Sequence, residues 1–550
     1  MRITNWLPES VTRLTKGILS IAFLFSFTSL FSQNLEGTTY YSAEGKKFEF
    51  VNGSEFNNTD TSLFLGRAGS WELGNGKLIL FTAVNDSTEI RDTLDITYQS
   101  GDRISVYNGA RYFTLKKKSS KRSENYFTSI LRAILGMSAL LLLGFLFSAD
   151  RKHINWPLVI KGILLQVVLA LLILKAPYVE EFFEFLSRGF VKVVDMAHEG
   201  ATFVFGSFID GTVNPYVKNF ATWILPSVIF FSALTSLMYY WGILQRVVMG
   251  MAWLMKRVMG LSGAESVSAA GNIFLGQTEA PLLVKPYLGR MTKSEILCLM
   301  AGGMATIAGG VLASYIGFLG GEDPQQKVYF AKHLLTASLM SAPAAIVFAK
   351  MLFPEKEEIN PDLSVEKEKL GANALEAVTN GTTDGLKLAV NVGAMLIVFI
   401  SLVALANYLL GKFGYYTGLN DLIASFGHYP GLSFEAILGY TLSPFAWVMG
   451  IPWEDSLIVG QLLGEKTILN EFVAYGNLAT LKFYMSDKAV LMTTYVLCGF
   501  ANFASIGIQV GGIGALAPER KSTLAKFGMK ALIAGTLACM STAVIAGMLY

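Results

Sequence analysis

The chain has 550 residues, of which 52% are hydrophobic and only 15% are charged, whereas soluble domains carry about 25% charged residues. A formal net charge of +3 gives no sign of the basic surface of a nucleic-acid-binding protein, so we expect no nucleic-acid partner. The three cysteines, Cys298, Cys498 and Cys539, lie in apolar runs, which excludes a disulfide framework. This composition is typical of a multi-pass membrane protein.

Residues 1–33 have the pattern of a secretory signal sequence. Arg13 and Lys16 precede the apolar run at residues 17–31, and small polar residues follow near a plausible cleavage point. An uncleaved anchor helix is the alternative. With either interpretation, the segment that follows is exported.

Residues 34–122 contain short alternating runs separated by Gly, Asn and Asp clusters, as around Gly74-Asn75-Gly76. This pattern predicts a small, β-rich, antiparallel domain. The first histidine of the chain is His153, and no catalytic cluster stands out, so we interpret this domain as an accessory one.

Apolar stretches of about 20 residues can cross a bilayer as helices. From Tyr126 onward the sequence predicts an all-α membrane domain with eight spans, near residues 126–148, 156–175, 222–244, 296–318, 331–353, 386–411, 487–510 and 526–549.

Basic residues follow the odd-numbered spans, as Arg151 and Lys152 follow the first and Arg520 and Lys521 follow the seventh. The positive-inside rule therefore places the β-rich domain and the C-terminus on the periplasmic or extracellular side of the cytoplasmic membrane. The basic cluster at residues 116–122 would lie outside, and a signal sequence that fixes the orientation reconciles it.

Two apolar stretches are interrupted by polar residues and are too irregular to be spans. They are residues 262–290, here called hairpin one, with Glu279, and residues 455–482, called hairpin two, with Glu471. Irregular backbone at membrane depth is tolerated only where it is buried in protein or lines a wet cavity. We therefore expect two re-entrant hairpins whose tips meet at a central site.

Each hairpin is followed by a Gly-rich broken span and then by a further span, and the two copies enter from opposite sides. This is the inverted repeat of many secondary transporters. The predicted organisation is a signal or anchor (1–33), the β-rich domain (34–122), N-terminal helices (123–260), the first repeat (261–353), a charged cytoplasmic loop (354–384), a scaffold helix with connector (385–454) and the second repeat (455–550).

Charged groups at bilayer depth usually mark substrate or ion pathways, which makes Glu279 and Glu471 candidates. Structural pairing with a lysine, such as Lys285 or Lys466, is the alternative. Carboxylates accept strong hydrogen bonds from hydroxyl groups, and amides read the edge of a heterocycle. The neutral donors and acceptors nearby are Gln277, Thr278, Asn502 and Ser505, and Phe500 could pack against a ring.

Side-chain oxygens of Asn272 and Thr306, with unwound backbone near Leu275 and Ile307, could hold a cation. Oxygen ligands from broken helices hold Na⁺ in such folds. Ordinary hydrogen bonding between helices is the alternative role for Asn272 and Thr306.

The chain from about residue 126 to residue 550 resembles the concentrative nucleoside transporters. The resemblance rests on GNIFLGQTEAPLLVKPYL (271–288), MATIAGGVLASYIG (304–317), LNEFVAY (469–475) and CGFANFASIGIQVGGIGALAP (498–518). It does not extend over residues 1–125.

This resemblance implies a homotrimer in which a scaffold domain forms the trimer contact and a transport domain carries both hairpins. It implies that Gln277, Thr278, Glu279 and Val311 contact the nucleobase, and that Glu471, Asn502 and Ser505 contact the ribose with Phe500 nearby. It also implies sodium among Asn272, Leu275, Thr306 and Ile307, although Thr306 stands where many relatives have serine.

The expected function is therefore cation-coupled nucleoside symport, with sodium as the coupling ion, and not an enzymatic activity. Because some members of that family couple to protons, a proton-coupled symporter is the first alternative. A channel, or a membrane sensor that uses the β-rich domain, is a further one. The four widely spaced histidines and the lack of an HExxH motif argue against a metalloprotease.

Overall fold

The computed structural model describes strand backbone between residues 38 and 117, and then residues 126–207, 219–321, 323–360, 372–425 and 429–550. The chain divides into two compact units, Met1–Ser119 and Ser120–Tyr550. The predicted signal sequence lies outside the described residues.

In the first unit each strand pairs antiparallel with the next, and the last strand pairs with the first, so the sheet is a closed barrel. Closure leaves no sheet edge for unwanted pairing. The strands are β1 (Thr38–Tyr41), β2 (Lys47–Val51), β3 (Glu55–Asn58), β4 (Ala68–Gly74), β5 (Lys77–Asn85), β6 (Thr88–Ser100), β7 (Arg103–Tyr107) and β8 (Tyr112–Lys117).

The second unit is helical, and its described residues begin with five α-helices. They are α1 (Tyr126–Leu146), α2 (Trp156–Lys175), α3 (Pro177–Phe205), α4 (Leu225–Tyr240) and α5 (Ile243–Met259). Asn155 accepts a hydrogen bond from the Leu158 amide and caps α2, which follows the usual preference for Asn at helix starts. The sequence did not predict α3, which carries several charged residues.

One order of elements occurs twice in the rest of the unit. The first copy comprises α6 (Gly263–Gly271), a 3₁₀ turn (Ala280–Val284) with α7 (Lys285–Leu288), α8 (Lys293–Ala305), α9 (Gly309–Gly320) and α10 (Pro324–Leu352). The second comprises α14 (Trp453–Ile468), α15 (Glu471–Leu481), α16 (Asp487–Leu497), α17 (Phe503–Leu516) and α18 (Lys521–Leu549).

Between the copies lie α11 (Ala374–Thr417), α12 (Leu419–Ser425) and α13 (Phe434–Val448). Helix α11 packs along α4 and otherwise presents a largely exposed apolar surface, whereas α8, α10 and α18 are almost entirely buried. Helices α10 and α18 pack against each other and against α8, so the core of the unit lies between the two repeats.

Seven helical segments among the described residues are long and apolar enough to cross a membrane, or eight if the bent pair of α13 and α14 counts as one span. The broken span predicted at residues 487–510 consists of two helices. Cys498 and Asn502 are extended there and separate α16 from α17. The helix predicted at residues 386–411 is much longer, and its first turns occupy part of the predicted charged loop.

Candidate functional site

The tip of hairpin one is a non-helical turn of residues 272–279, between the end of α6 and the 3₁₀ turn that begins at Ala280. It lies against the break between α8 and α9. The Gly309 amide donates to the Phe274 carbonyl over 3.2 Å, and the Ser338 hydroxyl of α10 donates to the Ile273 carbonyl over 3.0 Å. Two backbone carbonyl groups that would be costly to bury without a partner are therefore hydrogen-bonded.

The tip of hairpin two lies between α14 and α15, where Asn470 accepts a hydrogen bond from the Val473 amide and caps α15. Glu471, the first residue of α15, is buried. Asn502 caps α17 through the Ser505 amide over 2.9 Å, and its Nδ2 donates to Glu471 Oε2 over 2.8 Å. The residues that begin these two helices therefore also build the site.

Hairpin one meets the second repeat through Gln277, whose Nε2 donates to the Ser505 hydroxyl over 3.1 Å. Thr278 lies against α17, because a Cβ on Gly512 would come within 2.9 Å of the Thr278 methyl group. The result is a connected polar chain, Gln277–Ser505–Asn502–Glu471, which we call the polar chain.

The polar chain has spare hydrogen-bonding capacity. Gln277 Oε1 is buried and has no hydrogen-bond partner, and the same holds for Oε1 of Gln509, which is one helical turn beyond Ser505. Buried polar atoms in folded proteins are nearly always paired, so such atoms call for a ligand or a water molecule.

The three other predicted substrate residues, Glu279, Val311 and Phe500, have different surroundings. The Glu279 side chain is exposed and folds back over Gly276, where a Cβ would overlap its carboxylate. Within the described residues, Glu279 is not part of the polar chain. Val311 is buried in α9, and Phe500 is half-buried against the core.

Two of the predicted cation ligands, Asn272 and Thr306, both lie next to Gly302. The Thr306 hydroxyl donates to the Gly302 carbonyl over 2.9 Å, and a Cβ on Gly302 would lie 3.0 Å from Asn272 Nδ2. Asn272 is buried, and neither atom of its amide has a hydrogen-bond partner. An unpaired amide oxygen beside unwound backbone at Leu275 and Ile307 fits a hard cation that prefers neutral oxygen ligands.

Two aromatic residues that the sequence analysis did not single out adjoin Glu471. Tyr315 of α9 and Tyr475 of α15 are fully buried and stacked, with ring centroids 4.1 Å apart. The Tyr315 hydroxyl lies close enough to Glu471 to interact with it but has no hydrogen bond of good geometry. The stack joins the first repeat to hairpin two, and only the tertiary fold makes it visible.

The match with known families covers most of the helical unit. Residues 135–208 match the N-terminal family of Na+ dependent nucleoside transporters, residues 221–322 match a nucleoside recognition (Gate) family, and residues 333–547 match the C-terminal family of Na+ dependent nucleoside transporters.

Curated relatives agree with these family matches. Nucleoside permease NupC of Helicobacter pylori is 38% identical over 76% of this chain and 98% of its own length. Solute carrier family 28 member 3 of Mus musculus is 43% identical over 75% of this chain. The chain belongs to the concentrative nucleoside transporter family. It spans only 58% of the length of the mouse relative.

Solved structures give the same result. CNTnw in an inward-facing substrate-bound state is 37% identical, with a TM-score of 0.68 over 76% of this chain and 99% of that one. A substituted CNTnw in an outward-facing state has a TM-score of 0.69. The resemblance inferred from the motifs is confirmed, and the Na+ dependence in the family description agrees with sodium as the expected coupling ion.

Proposed function

We propose that the protein is a sodium-coupled symporter that takes up nucleosides across the cytoplasmic membrane by alternating access. The observation that carries this proposal is the polar chain, which links the tip of hairpin one to the tip of hairpin two. A molecule bound there contacts both repeats, as the midplane sites of inverted-repeat transporters do.

In this proposal the buried Glu471 carboxylate accepts hydrogen bonds from the ribose hydroxyls, and Asn502 holds that carboxylate in place. Gln277, with its unpaired Oε1, reads an edge of the nucleobase together with Thr278. Ser505 orients the Gln277 amide. Glu279, Val311 and Phe500 complete the wall around the base and the sugar, and Glu279 turns toward the base when substrate enters.

Sodium binds among Asn272, Leu275, Thr306 and Ile307 as the co-transported ion. Because residues 272–279 also carry Gln277, a cation that orders this turn preorganises the nucleobase contact. Each positive charge that enters an inside-negative cell gains about 2.3 kcal/mol per 100 mV. Cooperative binding of the two cargoes passes that energy to the nucleoside.

The proposal includes a homotrimer, eight membrane crossings and two re-entrant hairpins, with the β-rich unit and the C-terminus on the periplasmic or extracellular side. The largely exposed apolar surface of α11 supports a role in contacts with lipid or with neighbouring subunits.

Radiolabelled uridine and adenosine uptake into proteoliposomes tests the function. Separate arms impose a sodium gradient, a proton gradient or neither. We expect concentrative uptake with the sodium gradient alone. Uptake driven only by a proton gradient would show that the coupling ion is the proton, while the assigned substrate would remain. The absence of concentrative uptake of either nucleoside would refute the proposal.

A further inference from the structure

Lys466 lies in the last turn of α14, within hairpin two, and its side chain is fully buried. Lysine is almost never fully buried unless it is paired. The function proposed above gives this ammonium no role.

Lys466 forms a hydrogen bond with the C-terminal end of helix α16. Its Nζ donates to the Val496 carbonyl over 2.9 Å, and α16 ends at Leu497, so this carbonyl has no partner within the helix. The Tyr475 hydroxyl of α15 donates to the Thr494 carbonyl over 2.7 Å. Both arms of hairpin two therefore cap the C-terminus of α16, which carries partial negative charge.

Glu471, at the start of α15 in the same hairpin, is also buried, and its negative charge attracts the Lys466 ammonium. The ammonium thus interacts with the carboxyl end of a broken helix and, through its charge, with a carboxylate that we assign to the ribose. A positive charge fits this environment, whatever carries it.

The two repeats can be aligned through the carboxylates at the start of each hairpin. Glu265, near the start of α6, pairs with Lys350 at 2.5 Å, and Lys350 also donates to Ser294 in the first turn of α8. Asp455, near the start of α14, accepts hydrogen bonds from Ser486, the N-cap of α16. Each hairpin is therefore fastened to the start of the helix that follows it.

With this alignment, the end of α8 corresponds to the end of α16. At the end of α8, hairpin one contributes the unpaired Asn272 amide, beside Gly302. At the end of α16, hairpin two contributes the Lys466 ammonium. The two places share a hairpin side chain, the carboxyl end of a broken helix and unwound backbone.

We propose that the Lys466 ammonium is a built-in cation that occupies, in the second repeat, the place corresponding to the sodium site of the first repeat. The inference rests on the proposed sodium site. Each repeat then has one positive charge at the corresponding place. In the first repeat it is an exchangeable sodium ion, and in the second it is the ammonium group of the chain itself. Lys466 is then a positioning residue that fixes the end of α16 and the orientation of Glu471.

Chemical rescue tests this inference. Lys466→Ala removes the ammonium and leaves space for a small cation, so thermal unfolding of the purified full-length protein is followed in choline chloride with added ammonium chloride. We expect a lower Tm than in the wild type, and a recovery of about 2 °C or more with ammonium at roughly 100 mM. The wild type should not respond to ammonium.

Lys482→Ala is the matched control. Lys482 is also a lysine of hairpin two and donates to a backbone carbonyl, that of Leu319, but it is only half-buried. Water can replace its ammonium, so its variant should lose stability without an ammonium response. An equal response in both variants, or none in Lys466→Ala, would overturn the inference.

A second pair of variants covers the case in which Lys466→Ala does not fold. Lys466→Arg keeps the charge and should retain most uridine uptake, whereas Lys466→Met keeps only the stem and should lose most of it. Equal uptake by the two would overturn the inference. Ammonium rescue needs neither substrate nor sodium. If rescue fails while wild-type sodium-driven uptake is normal, the inference about Lys466 is wrong and the proposed function still stands.

Discussion

Asn502 connects local folding with the site, because one side chain makes two kinds of contact. Its oxygen caps α17 through the Ser505 amide, and its nitrogen donates to Glu471. Asn is a favoured N-cap residue because its short side chain reaches the free amides of the first turn. The helix start and the carboxylate orientation are therefore set together, and the residue that fixes the fold here also prepares the site.

Replacing Glu471 by Gln tests the carboxylate itself. The variant keeps the shape but loses the charge that strengthens hydrogen bonds from sugar hydroxyls, which are worth about 1.5–3 kcal/mol at a charged partner. We expect uridine uptake efficiency to fall roughly 10- to 100-fold, measured as initial rates in proteoliposomes.

The matched control is Glu465→Gln, also a buried carboxylate of hairpin two. Its oxygens already accept hydrogen bonds from Gln461 and Asn477 within the hairpin. We expect this variant to keep most of its uptake. A similar loss in both variants would contradict the role assigned to Glu471.

Thr306 provides the corresponding test for the cation. Thr306→Val keeps the size and branching but removes the hydroxyl, so the sodium concentration for half-maximal uptake should rise about tenfold, the equivalent of about 1.4 kcal/mol. Thr306→Ser keeps the hydroxyl and should behave like the wild type. A sodium activation curve that is unchanged in Thr306→Val would argue against this ligand set.

At the scale of elements, the two broken helices contact each other at their breaks. Gly499 has a φ of 137°, and a Cβ there would lie 2.7 Å from the Ala305 carbonyl oxygen. Cys539 of α18 contacts the same region and donates its thiol to the Cys498 carbonyl over 2.9 Å. The unwound segments thus pack against each other, and only glycine fits at position 499.

Gly499→Ala should therefore destabilise the protein by about 1–3 kcal/mol through backbone strain alone, with a further cost from the close contact. The measurement is Tm of the purified full-length protein. Gly476→Ala is the control, since Gly476 lies within α15 and nothing lies within 4 Å of its added Cβ. Replacing a helical glycine by alanine should be neutral or stabilising. An equal loss of Tm in both variants would therefore refute the requirement for glycine at position 499.

Sequence patterns predicted these breaks because Gly-rich and polar runs interrupt apolar stretches, as at Gly309-Gly310 and Asn502. They did not predict α3, whose charged residues lower its hydropathy below that of a membrane span. Nor could a local pattern pair Gln277 with Ser505, which are 228 residues apart. Contacts of that kind depend on how the repeats fold together, and the sequence indicates only that their residue types suit one site.

At the scale of the whole molecule, the transporter family and the β-rich unit occupy different parts of the chain. The family matches begin at residue 135, and the compact unit with the barrel ends at Ser119. The helical unit contains both hairpins, both broken helices and all residues of the polar chain. Transport should therefore be a property of that unit alone.

Deleting residues 34–120, with residues 1–33 retained, tests this expectation. Because every residue that we assign to nucleoside or sodium lies after residue 270, the shortened protein should keep its sodium-driven uridine uptake, with an unchanged KM. Surface expression, measured by labelling an exposed tag, corrects for differences in the amount of protein. If uptake per molecule were lost while expression was retained, the β-rich unit would be part of the transport cycle, and the sensor interpretation of that unit would gain support.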